Sequence, residues 1–173
     1  MTDLLYLMKI RNYFLSAFVI ALGFLSCRGE DIEDLQRIDQ VLHMYVKNAQ
    51  GQDLLNSSLP GSYRKVELRD IGGLYDQSAV AGYTVKKDQD TVYYLEYKTG
   101  ATRFLLDSAS PDSKRYRSDM IVNYFAVNDT IQDTISITYQ WTPQVFQIQN
   151  VQYNKSTVFT KVEGQPNVVK IVK

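Results

Sequence analysis

Few residues in this chain could do chemistry, since 173 residues hold one thiol, Cys27, and one imidazole, His43. A cysteine thiolate is a nucleophile that can accept an acyl group, a metal or a second sulfur. Cys27 stands in "GFLSCRGEDIED", residues 23–34, where an apolar run gives way to acids. The absence of a second cysteine in the sequence excludes a disulfide framework. A single histidine cannot complete a zinc set of His and Cys. His43 lies opposite Leu42, Met44 and Val46 in an alternating segment, so it reads as a partly exposed strand residue rather than a base or ligand. The carboxylates are scattered through turns and the stretch after Cys27, with no spacing that fixes a glycosidase pair. No Ser-His-Asp signature is present either. The expectation is a protein that is not an enzyme and needs no cofactor or metal.

The placement of Cys27 has a specific meaning. Met8 opens "MKIRNYFLSAFVIALGFLSC", with Lys9 and Arg11 ahead of an uncharged run from Tyr13 to Leu25. That run of about 13 residues is too short to span a bilayer but fits the apolar region of a signal peptide. Residues 1–7 then lie upstream of the true start. The stretch "FLSC" resembles the lipobox of bacterial lipoproteins, which implies a signal peptide over 1–26 and a lipid on Cys27 as the new N-terminus. Phe24 departs from the usual Leu, while Leu25 and Ser26 fit. The competing reading is a signal peptide with an incidental Cys27. Each buried methylene contributes about 0.8 kcal/mol, so two or three acyl chains anchor a soluble domain firmly.

From Cys27 to Lys173 the chain has the length of one compact domain. Without Lys9, Arg11 and Asp3 the formal balance is 17 basic to 18 acidic side chains. That near-neutrality gives no reason to expect a nucleic-acid partner. Residues 27–39 read as a polar tether and 40–173 as a single domain.

Period-two alternation makes the domain all-β. In "DTISITYQW" Ile135, Ile137, Tyr139 and Trp141 share one face, with Thr134, Ser136, Thr138 and Gln140 on the other. Tyr93, Leu95 and Tyr97 alternate in the same way, as do Leu42, Met44 and Val46. "RYRSDMIVNYFAV" becomes apolar on both faces, as a central strand does. A change of phase between Ile148 and Val151 predicts a bulge near Gln149 and Asn150. "KTGA" at 98–101 and "YNKS" at 153–156 read as hairpin turns, "NAQG" and "EGQPN" as two more turns. Segments near 40–48, 62–70, 91–98, 102–107, 115–127, 133–141, 145–153, 157–162 and 167–172 give eight or nine strands. Their spacing predicts an antiparallel, immunoglobulin-like β-sandwich; the alternative is an eight-stranded up-and-down β-barrel. The stretch 49–90, broken by "LPGS", "GG" and "AG", weighs against the barrel.

"GQDLLN" at 51–56, "PGSY" at 60–63, "NDTIQDTISITYQW" at 128–141 and "VQYNKS" at 151–156 make the chain similar to small lipoproteins of Bacteroidetes-type bacteria with an immunoglobulin-like domain and no established activity. The resemblance implies an outer-membrane location and covers most of the mature chain. It also gives meaning to Glu30, Asp31, Glu33 and Asp34, which look like the signal that sends such lipoproteins to the cell surface. The alternative is a periplasm-facing domain on a tether that is polar only because tethers are. Four triplets, Asp90-Thr91-Val92, Asp107-Ser108-Ala109, Asp129-Thr130-Ile131 and Asp133-Thr134-Ile135, are similar to an O-glycosylation motif of those bacteria. They mark Thr91, Ser108, Thr130 and Thr134 as acceptors, against the plainer reading of an Asp turn leading into a strand.

The mature chain carries 11 of the 13 tyrosines, together with Trp141. Such residues serve sugar stacking, protein contacts or cores; for Tyr139 and Trp141 the core is the expectation. The sequence therefore reads as a lipid-anchored envelope protein acting as a non-catalytic accessory or binding module. An envelope protein and a glycan stay open as its partner, the alternative function is a surface glycan-binding protein, and a hydrolase is the weakest reading.

Overall fold

The computed structural model describes residues 35–73 and 77–173. The segment expected to be a signal peptide, Cys27 and the acids Glu30, Asp31, Glu33 and Asp34 lie outside the described residues. The unit Gln36–Lys173 is built from twelve strands: β1 (Arg37–Asp39), β2 (Leu42–Lys47), β3 (Lys65–Asp70), β4 (Ser78–Ala79), β5 (Gly82–Lys87), β6 (Tyr93–Thr99), β7 (Phe104–Ser110), β8 (Ser113–Phe125), β9 (Thr130–Trp141), β10 (Val145–Tyr153), β11 (Ser156–Thr160) and β12 (Asn167–Val172). Eight form one sheet in the order β1-β10-β9-β8-β3-β4, with β11 also beside β10 and β7 also beside β8. The other four form a sheet in the order β12-β2-β6-β5.

The fold is thus all-β and two-layered, as the alternation predicts. Buried side chains come from the inner faces of both layers: Leu42, Met44, Val46, Leu95, Tyr97 and Val169 from the small sheet, and Met120, Val122, Tyr124, Ile135, Ile137, Tyr139 and Ile148 from the large one. Each fully buried aliphatic side chain contributes roughly 1.5–3 kcal/mol. All nine strand segments expected from the sequence exist. The phase change in β10 is a bulge, since pairing with β9 slips between Ile148 and Asn150. At "YNKS" Asn154 and Lys155 take φ of 48° and 69°, the two left-handed positions that a tight hairpin between β10 and β11 requires.

Several expectations need correction. The sandwich is mixed, because β1 runs parallel to β10 and β12 parallel to β2. Alternation encodes which face a residue occupies and not the direction of the neighbouring strand. "KTGA" is not a hairpin: β6 and β7 lie in different sheets, and residues 100–103 carry the chain across. Gly100, at φ 116°, and Gly82 permit this crossing. A Cβ on Gly82 would fall 1.9 Å from the Thr99 carbonyl oxygen, so only glycine lets β5 approach β6 there. Residues 37–39 are strand and not tether. The stretch 49–90 contains β4 and β5, which were not foreseen.

The segments "GQDLLN" and "PGSY" close one end of the core. Leu54, Leu55 and Tyr63 are buried. Asp53 accepts from the backbone N–H groups of Leu55 and Tyr93 at 2.9 and 2.7 Å, and the Ser62 hydroxyl donates to the Asp53 carbonyl at 2.9 Å. The motifs that carry the family resemblance therefore make structure.

Asp39 joins the layers at β1. Its carboxylate accepts from Lys161 Nζ at 2.6 Å and Asn167 Nδ2 at 2.8 Å. Burial opposes ionisation of Asp39, but Lys161 and Asn167 outweigh it and hold the carboxyl below 3.8. A depressed carboxyl pKa stabilises the fold above the unfolded value, and that stabilisation disappears as pH falls through the folded value. The stability gap between wild type and Asp39→Asn is therefore expected to be full near neutral pH and to close below 3.8. Urea titrations at a series of pH values measure it, and a gap constant with pH would refute the assignment.

Candidate functional site

Strand length creates a concentration of unsatisfied chemistry on the inner face. β8 and β9 have 13 and 12 residues, whereas β2 and β12 have 6 each. At roughly 3.3 Å per residue the large sheet must overhang the small one. Its inward positions continue past the covered core as Lys114 and Tyr116 on β8 and Trp141 on β9, paired across the ladder as Lys114 with Trp141 and Tyr116 with Tyr139. The overhang lines an open groove of about 450 Å³ with Gln36, Ile38, Gln40, Arg103, Tyr116, Trp141 and Phe146.

Arg103 is delivered by the crossing from β6 to β7. The preceding residue is pinned, since the Thr102 N–H and hydroxyl donate to Asp70 at 2.8 and 2.7 Å and Asp70 is buried at the end of β3. The Arg103 guanidinium then lies 5.0 Å from the Tyr139 ring centroid and 4.8 Å from that of Phe146, two rings stacked 5.3 Å apart. Cations favour aromatic faces in this way. One Nη donates to Gln40 Oε1 at 2.6 Å, while Nε is buried without a partner. Among the described residues no carboxylate forms an ion pair with Arg103. Gln36 Nε2 donates to the Thr142 carbonyl at 2.5 Å. Lys114 Nζ sits 4.9 Å from the Trp141 ring. The groove therefore presents one cation, two amides and aromatic faces, with Lys114 beside its Trp141 wall, and no acid among the described residues lines it.

Other sequence-marked residues are placed differently. His43 is half-exposed as expected; its Nε2 is 3.4 Å from Glu96 and its ring is 4.7 Å from that of Tyr94. Lys86, at 2.8 Å, with Lys98 alongside, holds the Glu96 carboxyl below its ordinary range against the effect of burial. This cluster of one carboxylate, two ammoniums and an imidazole lies on the outer face of the small sheet. Tyr124 is in the core, its hydroxyl 2.9 Å from that of Tyr153. A second groove, about 500 Å³, runs along Tyr45, Lys47, Asp88, Asp90 and Lys170, but Asp88 is occupied with the Tyr45 hydroxyl and the Val92 N–H. Among the described residues no three His, Cys, Asp or Glu converge as a metal site.

Thr91, Ser108, Thr130 and Thr134 all lie exposed. Three of the acids before them have structural work: Asp107 pairs with Arg115, Asp129 accepts from the Thr130 N–H at 2.8 Å, and Asp133 is buried. Tyr139 lies in the core as its face predicts, whereas Trp141, on the same face, is only partly buried because the core ends before it. Arg103, Gln36 and Gln40 were not legible in the sequence; the only sequence signal for the groove is the length of the segments that became β8 and β9.

Fold and groove together define a β-sandwich with a cationic, aromatic cleft where one sheet outruns the other. Compared with known proteins, the chain matches no family model, no curated protein and no solved structure.

Proposed function

We propose that this chain is a lipid-anchored cell-envelope protein whose sandwich acts as a non-catalytic binding module. The observation that carries the binding reading is the groove around Arg103, a cation on aromatic rings with no carboxylate beside it among the described residues. Such concave sites with a few fixed polar groups among aromatic walls are the usual form of a ligand pocket. That lining of one cation, amides and aromatic rings favours retention of a ligand over hydrolysis of one.

Anchorage rests on "FLSC" and the charged leader before it, and surface display on Glu30, Asp31, Glu33 and Asp34. Wild-type protein is expected to take up a clickable fatty acid and Cys27→Ala to lose the label; an unlabelled wild type would end the lipoprotein reading. The binding role is tested by a photo-crosslinking residue at Tyr116, in cells, against the same residue at exposed Gln152 on β10. Adducts at Tyr116 alone are expected, and equal or absent labelling at the two positions would count against the groove as the site.

A further inference from the structure

We infer that the groove takes an acidic sugar, a hexuronate unit whose carboxylate meets Arg103 while a face of its ring lies on Trp141 and Tyr116. This rests on the proposal that the groove is the binding site and adds the chemical class of the ligand. Three features of the cleft lead to it.

The first is charge. Arg103 is the only charged residue among the described residues lining the groove, seated over two rings, and Lys114 lies over the ring of the neighbouring Trp141. A guanidinium partly withdrawn from water, as that of Arg103 is, gains from hydrogen-bond acceptors for its five N–H donors. Gln40 Oε1 satisfies one Nη, and Nε has none. A carboxylate supplies two acceptors in the fork geometry that guanidinium prefers. The second is the wall. Trp141 and Tyr116 are partly exposed where the core ends, giving flat surface on which the C–H face of a pyranose can rest. The third is the pair of amides. Gln36 and Gln40 each use one end of the amide within the protein, leaving Gln36 Oε1 and Gln40 Nε2 to accept from and donate to neighbouring hydroxyls.

A peptide C-terminus also carries a carboxylate, yet the groove is less suited to one. Extended peptides are read by exposed backbone N–H and C=O groups. Here β8, β9 and β10 commit theirs to the ladder, and the one open edge beside the groove, β1, is three residues long, so recognition falls chiefly to side chains. The volume of about 450 Å³ lies in the ordinary range for small ligands, roughly 300–1,000 Å³.

Trp141 is the only tryptophan in the chain, so intrinsic fluorescence reports this site directly. The full mature protein in detergent is titrated with glucuronate- and galacturonate-containing oligosaccharides, with their methyl esters, with the neutral glucose and galactose analogues, and with a short peptide. A saturable change in Trp141 emission is expected for the uronates, weakened roughly tenfold or more by esterification, as loss of a charge-assisted pair requires. Arg103→Met keeps an unbranched apolar side chain beside Tyr139 and Phe146 without the charge and is expected to lose the same discrimination. If Arg103→Met does not fold, the ester series on wild type still decides.

Neutral sugars or esters bound as tightly as uronates would overturn the inference, as would silence toward every uronate. Saturation by the peptide alone would overturn it too and assign the groove to a protein terminus. Those outcomes leave the crosslinking test at Tyr116 standing, so the failure of the sugar assignment is separable from the failure of the binding site.

Discussion

Asp133→Ala is expected to cost about 3–5 kcal/mol of folding stability, because it removes the acceptor at the centre of a buried network. Asp133 lies on β9 and is buried. Its Oδ2 accepts from the Tyr153 hydroxyl and from Lys173 Nζ, and its Oδ1 accepts from Asn154 Nδ2 at 2.8 Å. Tyr153 bonds in turn to Tyr124, and Lys173 lies over both tyrosine rings at 5.4 and 4.9 Å. One carboxylate thus holds β9, the turn between β10 and β11, and the residue after β12. Alanine would strand a half-buried ammonium and a phenol, and the penalty for an unpaired buried group exceeds what the pair itself contributes. Asp133→Asn keeps an acceptor without the charge, so about 1–3 kcal/mol is expected. Urea midpoints at unchanged slope measure both. Combined with Lys173→Met, the alanine variant should lose less than the two singles together, since the stranded charge is then gone. Strict additivity would show that the ion pair does not form.

The same residue shows where sequence reading reached its limit. Asp133 entered as the leading acid of a triplet ending in Thr134 and Ile135, a surface pattern. Its burial follows from position: it shares the inward parity of Ile135, Ile137 and Tyr139, and only the tertiary fold brings Lys173 to it. Face assignments succeeded wherever a strand has one wet side, as in β2 and β9, and the bulge in β10 betrayed itself by a change of phase. β5 was missed because "GYTVKK" is an edge strand with little buried on either face, leaving no alternation to read. Strand direction escaped because a parallel and an antiparallel neighbour bury the same face. The groove escaped for a related reason. Arg103 sits in a crossing with no periodicity, and Gln36 and Gln40 flank a three-residue strand; their convergence depends on one sheet being longer than the other.

Tyr139 is where stability and binding meet, and its two substitutions are expected to diverge. The ring is fully buried, stacked on Phe146 and lying under the Arg103 guanidinium. Burial pushes its phenol well above the ordinary value. The hydroxyl faces those of Tyr97 and Ser118 without completing a hydrogen bond to either. Tyr139→Ala removes a large aromatic from the core and is expected to cost about 3–5 kcal/mol, the range for truncating a buried ring. Tyr139→Phe keeps the ring and sheds only an unbonded hydroxyl, so it should change stability by no more than about 1 kcal/mol, in either direction. Urea unfolding followed by Trp141 emission and by far-ultraviolet circular dichroism measures both variants on one chain. A Tyr139→Phe variant that loses as much as Tyr139→Ala would mean that the hydroxyl is bonded after all. The binding consequence separates the two in the same way. In Tyr139→Phe the guanidinium retains its aromatic platform, and uronate affinity should match wild type. In Tyr139→Ala the Arg103 side chain loses one of its two rings, so the groove should bind uronate more weakly even at temperatures where the variant is fully folded.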